Sequence, residues 1–313
     1  MSAPLLEVDG LSKSFDGVRA VDGLSFALER GRITAFIGPN GAGKTTTMRI
    51  AATLEIPDRG DVRIEGISVL EEPQQARLRL GFMADQFVPY ADLDVEQYLQ
   101  FFAHAYGLRG LARRRTVASV IEFCGLGDML RRPTTGLSKG MGQRLHLAKT
   151  LLHDPPLLLL DEPAAGLDPR ARIELRELLR ELAAAGKGVL ISSHILAELS
   201  EIADALVLIE AGRLVLAGTT AEAQRAVREH HLIRMRVLED NRRAERWLLT
   251  QPQVREVKVL DEVHLQFDFT GDERAMAELL RRAVEAGLGV VSFATEEADL
   301  EEVFMRTTRG VLQ

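Results

Sequence analysis

The amino-acid sequence predicts an α/β protein with a parallel sheet, followed by a smaller α+β domain. The apolar run Ile33–Ile37 leads through a glycine-rich loop into a helix pattern. Leu157–Leu160 is apolar without interruption, which is typical of a strand in a parallel sheet that is buried on both faces. Beyond residue 231 the order strand–helix–strand–strand–helix–strand is typical of a ferredoxin-like domain.

The loop after Ile37 has the residue types and the spacing that bind phosphate. It comprises Gly38, Pro39, Asn40, Gly41, Ala42, Gly43, Lys44, Thr45 and Thr46. Its glycines allow backbone N–H groups to point inward, and the helix N-terminus behind it adds partial positive charge. In such a loop Lys44 reaches the β- and γ-phosphates of a nucleoside triphosphate, and Thr45 offers its hydroxyl to Mg²⁺. A chance match would not explain the strand before the loop and the helix after it.

Polar side chains end two further strands of the predicted sheet. Asp161 and Glu162 follow Leu157–Leu160, and His194 follows the strand Gly188–Ser193. Ligands of open α/β sheets bind at the carboxyl ends of the strands. We therefore expect Asp161 to hold Mg²⁺ through water and Glu162 to polarise the attacking water. A lone histidine is more often structural, but its position favours a role for His194 in the site.

Composition narrows the class of protein. The chain has 313 residues, 46% hydrophobic and 27% charged, with a formal net charge of -7 at pH 7, which argues against a nucleic-acid surface. Cys124 is the only cysteine, so no intramolecular disulfide forms, as suits a reducing compartment. No apolar run is long enough to cross a bilayer, and the first ten residues predict no secretory signal. Action at a membrane would need a partner.

Further segments give weaker expectations. Leu5–Val8 and Val18–Leu28 predict antiparallel strands with turns at Asp16-Gly17 and Asp22-Gly23, and residues 104–132 predict helix. Phe15, in the first of these turns, either stacks on a purine or lies at the edge of the core. The aromatic residues from Phe87 to Phe102 form either core or a docking groove.

A second helix start carries glycine. Ser138 is placed to cap the helix that opens within Leu137–Arg144, which is a second potential phosphate site. By itself this signal is weak, since serine caps are common.

Together these motifs resemble the ATP-binding subunits of ABC transporters, and among them the single-domain subunits that pair with separate ABC-2-type export permeases. The resemblance covers roughly Leu5 to Thr220. The matches, in the order of the family, are Phe15 as adenine-stacking aromatic, Gly38–Thr45 as Walker A, Leu137–Met141 as the LSGGQ signature, Leu157–Glu162 as Walker B, Gly166–Asp168 as D-loop and His194 as switch histidine. It implies a P-loop ATPase domain with an antiparallel β subdomain and a helical subdomain.

Two motifs depart from the family pattern, the signature at two positions and the Q-loop at one. In the signature, Lys139 replaces a glycine and Met141 replaces a glutamine. Ser138 and Gly140 remain as hydrogen-bond donors to the γ-phosphate. In the Q-loop, counting from Gly81 places Asp85 at the glutamine position. A carboxylate there would approach Mg²⁺ through water, and Gln86 is the alternative.

The resemblance implies a mechanism and partners. Two subunits would face head to tail, so that Ser138 and Gly140 of one cover the nucleotide on Lys44 of the other. Asp168, in the D-loop match, would be a further nucleotide-binding residue. Glu162 and His194 would act in hydrolysis. A homodimer on an integral membrane permease, at the cytoplasmic face of the cell membrane, would drive export, with no nucleic acid bound. The alternative is a soluble ABC ATPase that acts on nucleic acid or the ribosome. Such relatives usually carry a long coiled-coil insertion or a second ATPase domain, and the sequence shows neither, which argues against this alternative.

The expected domains are an ATPase domain at 1–220, with its helical subdomain at about 90–150, a linker at 221–230 and an accessory ferredoxin-like domain at 231–313 that ends in a helix from Asp299 to Thr308. That last domain either stabilises the dimer or binds a regulatory small molecule. Both alternatives stay open at this point.

Overall fold

The structure is a computed structural model that describes residues 3–194, 199, 202–220, 230–238 and 241–296. The chain divides between Gly218 and Thr219 into two compact units. The predicted linker at 221–230, apart from residue 230, and the predicted helix at 299–308 lie outside the described residues.

The first unit contains ten strands and six α-helices within the described residues. The strands are β1 (Leu6–Phe15), β2 (Val18–Leu28), β3 (Ile33–Ile37), β4 (Arg59–Ile64), β5 (Ile67–Ser68), β6 (Leu80–Met83), β7 (Leu157–Leu160), β8 (Gly188–Ser193), β9 (Ala205–Glu210) and β10 (Arg213–Thr219). The helices are α1 (Lys44–Ala51), α2 (Pro73–Arg77), α3 (Val95–Ala105), α4 (Gly110–Phe123), α5 (Lys139–Leu151) and α6 (Pro169–Ala184).

The predicted parallel sheet is present. Its order is β10-β9-β3-β8-β7-β6, and the pairs β9/β3, β3/β8, β8/β7 and β7/β6 are all parallel. Every residue of β3, β7 and β8 is buried, which explains their continuous apolar runs. The carboxyl ends of these three strands therefore lie side by side at one edge, where the phosphate-binding loop begins.

A second sheet contains the predicted antiparallel pair of β1 and β2, and its order is β2-β1-β4-β5. The expected turn at Asp22-Gly23 is wrong, because these residues lie inside β2. Gly23, with φ 65°, takes a left-handed conformation beside a register shift between β1 and β2. A glycine inside a strand here marks an irregular register and not the end of the strand.

The helices between β6 and β7 differ from the prediction in their bounds. Residues 104–132 are not one helix, because α3 ends at Ala105, α4 ends at Phe123, and only a short 3₁₀ turn, Gly127–Met129, follows. Ser138 caps α5 as predicted, and its Oγ accepts a hydrogen bond from Met141 N at 3.3 Å.

Aromatic rings join the segment after β6 to α3 and α5. Tyr98 is buried and lies among Phe87, Tyr90 and Phe102, with ring centres 4.7–5.8 Å away. Tyr90 and Phe101 are 46% and 52% exposed, so the cluster is core at its inner side and open at its outer side.

Phe87 fits a gap on α5. A Cβ on Gly142 would lie 3.0 Å from Cδ1 of Phe87, so glycine leaves the room that the ring occupies. Phe87, which directly follows Asp85 and Gln86, is thus in contact with α5, the helix that Ser138 caps.

The second unit is ferredoxin-like, as predicted. Its elements are β11 (His230–Val237), α7 (Asn241–Leu248), β12 (Val254–Val259), β13 (His264–Thr270), α8 (Glu273–Glu285) and β14 (Val290–Glu296). The antiparallel sheet has the order β12-β13-β11-β14. Leu265, Phe267 and Phe269 alternate along β13 into a separate apolar core. Nowhere in the described part of either unit does a helix have the length and apolarity of a membrane span.

Candidate functional site

The loop between β3 and α1 folds tightly against neighbouring backbone. A Cβ on Gly38 would lie 2.4 Å from the carbonyl oxygen of Ile209, and one on Gly43 would lie 2.4 Å from that of Ala20. Gly43 also has φ 103°, which side chains strongly disfavour. Space therefore requires glycine at both positions, and backbone conformation requires it at Gly43 as well.

The ammonium group of Lys44 lies inside this loop. Its Nζ donates hydrogen bonds to the carbonyl oxygens of Gly38 at 2.7 Å and Pro39 at 3.3 Å, and it lies 3.7 Å from Oε1 of Glu162. Burial lowers the pKa of Lys44, while the charges of Glu162 and Asp161 act in the opposite direction. A cation that is desolvated to this degree interacts strongly with a phosphate anion.

The two carboxylates after β7 occupy different environments. Asp161 is 1% exposed, and its Oδ1 accepts a hydrogen bond of 2.6 Å from the Ser192 hydroxyl. The same Ser192 oxygen accepts the backbone N–H of Glu162 at 2.8 Å. Glu162 has φ 47°, a left-handed conformation that is uncommon outside glycine. Ser192 thus ties both acidic residues to β8.

Glu162 also contacts the histidine at the end of β8. Nδ1 of His194 lies 3.0 Å from Oε2 of Glu162, and because an ionised carboxylate only accepts, the ring donates this hydrogen bond. The Glu162 carboxylate therefore lies between the His194 ring and the Lys44 ammonium.

These residues line one cleft of about 520 Å³. The predicted site residues along it are Asn40, Gly41, Ala42, Gly43, Lys44, Thr45, Thr46, Asp85, Glu162 and His194. Gln86, the alternative to Asp85, lines it as well, so both remain candidates. Gly38 and Pro39 do not line the cleft, but their carbonyl oxygens accept hydrogen bonds from Lys44, which does, and Asp161 is buried.

Four predicted residues lie away from this cleft. Ser138 and Gly140 are at the start of α5, and Asp168 caps α6, where its Oδ1 accepts from Ala171 N at 2.9 Å. Phe15 ends β1 and is 43% exposed, with Nζ of Lys13 located 5.1 Å from its ring centre. Adenine stacking by Phe15 stays a prediction.

The acidic residues at the cleft fit Mg²⁺ that arrives with a nucleotide. No group of three or more histidine, cysteine or carboxylate side chains suited to a metal occurs in the described ranges. Mg²⁺ that is held mainly by phosphate oxygens and water needs only one or two protein ligands. Of the three predicted ligands, Thr45 and Asp85 line the cleft, while Asp161 is buried and accepts from Ser192, so this ligand set stays a prediction.

Sequence reasoning missed two residues of the cleft region. Ser192 was not singled out, although two serines at the end of a buried strand were a usable signal. Lys139 was recognised only as a departure from the signature, yet it lines the cleft of its own chain. Its position depends on the packing of α5 against the turn after β7, which the sequence does not reveal.

A phosphate-binding loop between a strand and a helix, with two carboxylates at the end of a parallel strand of the same sheet, defines a P-loop nucleoside triphosphatase. The family model "ABC transporter" matches residues 21–165, and the model "ATP-binding protein DrrA1-3-like, C-terminal domain" matches residues 218–308. The chain belongs to the family of ABC transporter ATP-binding proteins, and it is an ATPase.

Three similar proteins illustrate this membership. The Nod factor export ATP-binding protein I of Ralstonia nicotianae is 34% identical over 98% of this chain and 94% of its own length. The daunorubicin/doxorubicin resistance ATP-binding protein DrrA of Streptomyces peucetius is 35% identical over 97% of this chain and 92% of its own length. A solved structure of an ATP-binding subunit of an ABC transporter shares 34% identity, with a TM-score of 0.65 over 71% of this chain and 92% of the other.

Proposed function

We propose that this chain powers export through a separate integral membrane permease, and that ATP joins two copies of it head to tail. The similar proteins from Ralstonia and Streptomyces are named for Nod factor export and for daunorubicin/doxorubicin resistance. These names favour export over the alternative of a soluble ATPase that acts on nucleic acid or the ribosome. The same proposal places the chain at the cytoplasmic face of the cell membrane, bound to an ABC-2-type permease.

One observation carries the dimer. Ser138, at the tip of α5, is exposed and does not line the cleft that holds Lys44 of the same chain, although the neighbouring Lys139 does. A capped helix start with free N–H groups is suited to bind an anion. A second copy that faces the first would bring this tip, with Gly140, to the phosphates that the first copy holds, and Asp168 would approach the same junction.

In this proposal Glu162 polarises the attacking water, and His194 holds the Glu162 carboxylate and approaches the terminal phosphate. Mg²⁺, when bound, neutralises phosphate charge, with Thr45, Asp161 and Asp85 or Gln86 around it. Lys44 exchanges its contact with Glu162 for phosphate oxygens, which frees Glu162 to accept a proton from water. The open outer side of the aromatic cluster, with Tyr90 and Phe101, is available to a permease.

The test uses the full chain with Glu162→Gln, which suppresses hydrolysis. With ATP and Mg²⁺, light scattering after size exclusion is expected to give twice the chain mass of 34.6 kDa, and with ADP the single mass. A single mass with bound ATP at high protein concentration would refute the dimer. Loss of steady-state hydrolysis in the same variant, by about 100-fold or more, tests the role of Glu162.

Ser138 offers a matched pair of variants for the interface. Ser138→Asp and Ser138→Asn both retain a good helix cap, but only the aspartate places a negative charge against the partner's phosphate. In the Glu162→Gln background we expect Ser138→Asp to bind ATP as a monomer and Ser138→Asn to dimerise. Equal dimerisation of both variants would exclude this helix tip from the interface. Capture of nucleic acid without a membrane protein would favour the alternative function.

A further inference from the structure

Lys139 reaches the nucleotide cleft of its own chain. It is the first residue of α5, and its side chain lies across Gly166 in the turn that joins Glu162 to Asp168. A Cβ on Gly166 would lie 2.4 Å from Nζ, 3.3 Å from Cε and 3.5 Å from Cδ of Lys139. The absence of a side chain at position 166, which has φ 67°, thus leaves the path that the lysine follows.

The lysine borders the cleft beside Glu162. The cleft is lined by Lys139 together with Ala165, Glu162 and Lys44. Because a loop lysine such as Lys44 reaches the β- and γ-phosphates, and Glu162 lies 3.7 Å from its Nζ, Glu162 marks the side of the terminal phosphate. Lys139 lines the same cleft, and its side chain lies across Gly166, four residues after Glu162 in the same turn.

The two cations of the cleft differ in their partners. Lys44 is engaged by two carbonyl oxygens and by Glu162. In the part of the chain that the structure describes, the side chain of Lys139 forms neither a hydrogen bond nor an ion pair. An unpaired ammonium group at the edge of a cleft that takes a polyanion gains a charge-assisted contact when the anion enters.

We propose that Lys139 binds the terminal phosphate of the ATP that its own chain holds on Lys44. Ser138 and Gly140, one residue to either side, do not line this cleft, so in this proposal the start of α5 serves two sites. The lysine acts on the nucleotide of its own chain, and its neighbours are free to act on that of a partner. This inference concerns ATP binding by one chain and does not depend on the proposed dimer or permease.

Titration calorimetry on the full chain in the Glu162→Gln background tests the contact. We expect Lys139→Met to weaken ATP binding about 5-fold, the size of a partly exposed ion pair, and ADP binding less than about 2-fold. Lys139→Arg, which keeps the charge, is expected to stay within about 2-fold for both nucleotides. Lys258→Met, an equal loss of charge on an exposed strand of the second unit, is the control and should change neither affinity. Unchanged ATP affinity in Lys139→Met, or an equal loss for ATP and ADP, would overturn the proposal.

Mixing two variants separates action within one chain from action on a partner. The Lys139→Met chain, which retains Lys44, is titrated with ATP in the presence of excess Lys44→Ala chain, which retains Lys139. If Lys139 serves its own chain, the ATP affinity stays weak. Recovery of the affinity in the mixture would show that the lysine acts across an interface, contrary to the proposal.

Discussion

Ser192→Ala probes how two neighbouring acidic residues are held at the end of one strand. The substitution removes a 2.6 Å hydrogen bond to the buried Asp161 carboxylate and a 2.8 Å bond from the backbone N–H of Glu162. A hydrogen bond to a charged group contributes about 1.5–3 kcal/mol and a neutral one about 0.5–1.5 kcal/mol. Glu162 is only partly buried, so water replaces part of this loss. We expect the free energy of unfolding to fall by about 2 kcal/mol.

The effect on hydrolysis follows from the backbone of Glu162. Without its bond to Ser192, the left-handed residue is free to relax, and the carboxylate loses its position beside Lys44. We expect kcat of ATP hydrolysis to fall at least about 10-fold, which corresponds to about 1.4 kcal/mol. The Kd for ATP should change less than about 3-fold, since the hydrogen bonds of the Ser192 hydroxyl go to Asp161 and Glu162 and not to the phosphate-binding loop.

Steady-state ATPase assays, ATP titration and urea unfolding measure these three quantities. Ser25→Ala is the matched control, because its Oγ accepts a single exposed bond from Gly10 N at 2.8 Å in the antiparallel sheet. The control should keep kcat and lose less than about 1 kcal/mol of stability. Wild-type kcat and stability in Ser192→Ala would refute the reasoning.

Two further substitutions test the loop and a buried histidine. Gly43→Ala should weaken ATP binding about 10-fold or more in titration calorimetry, because its Cβ would meet the Ala20 carbonyl oxygen. Gly41→Ala, strained at φ 84° but with open space around it, should lose less, and an equal loss would rule out the contact as the cause. Burial lowers the pKa of His146 to about 3, so the folded protein keeps this ring neutral while the unfolded chain protonates it below about pH 6.5. Urea unfolding of the wild type should therefore lose about 1 kcal/mol more between pH 7 and pH 5.5 than His146→Gln does, and equal losses would contradict this.

Local patterns were enough to predict the phosphate-binding loop and the strand ends. Lys44 and Glu162 each follow a buried strand within a few residues. The apolar runs identify the two strands, and the short distance along the chain places both residues at the same edge of the sheet. Ser192 is different, because its contact with Asp161 spans 31 residues and depends on β7 lying beside β8. Strand order is a property of the whole sheet and cannot be obtained from one strand.

Other misses have equally specific causes. Gly23 was interpreted as a turn because glycine favours both turns and register shifts, and only the pairing of β1 with β2 separates the two. The choice between Asp85 and Gln86 stays open because both lie beyond the last residue of β6, where strand alternation no longer applies. The place of Lys139 in the cleft depends on how α5 packs against the turn after β7, and one local stretch of sequence does not reveal that packing.

The contact of Phe87 with Gly142 has a mechanical consequence. The ring fills a gap that the helix leaves open, so neither part slides past the other without a clash or an empty space. We therefore expect a shift of α5 toward a phosphate to move Phe87, and with it the rings around Tyr98. Through this contact, nucleotide binding would change the outer aromatic surface.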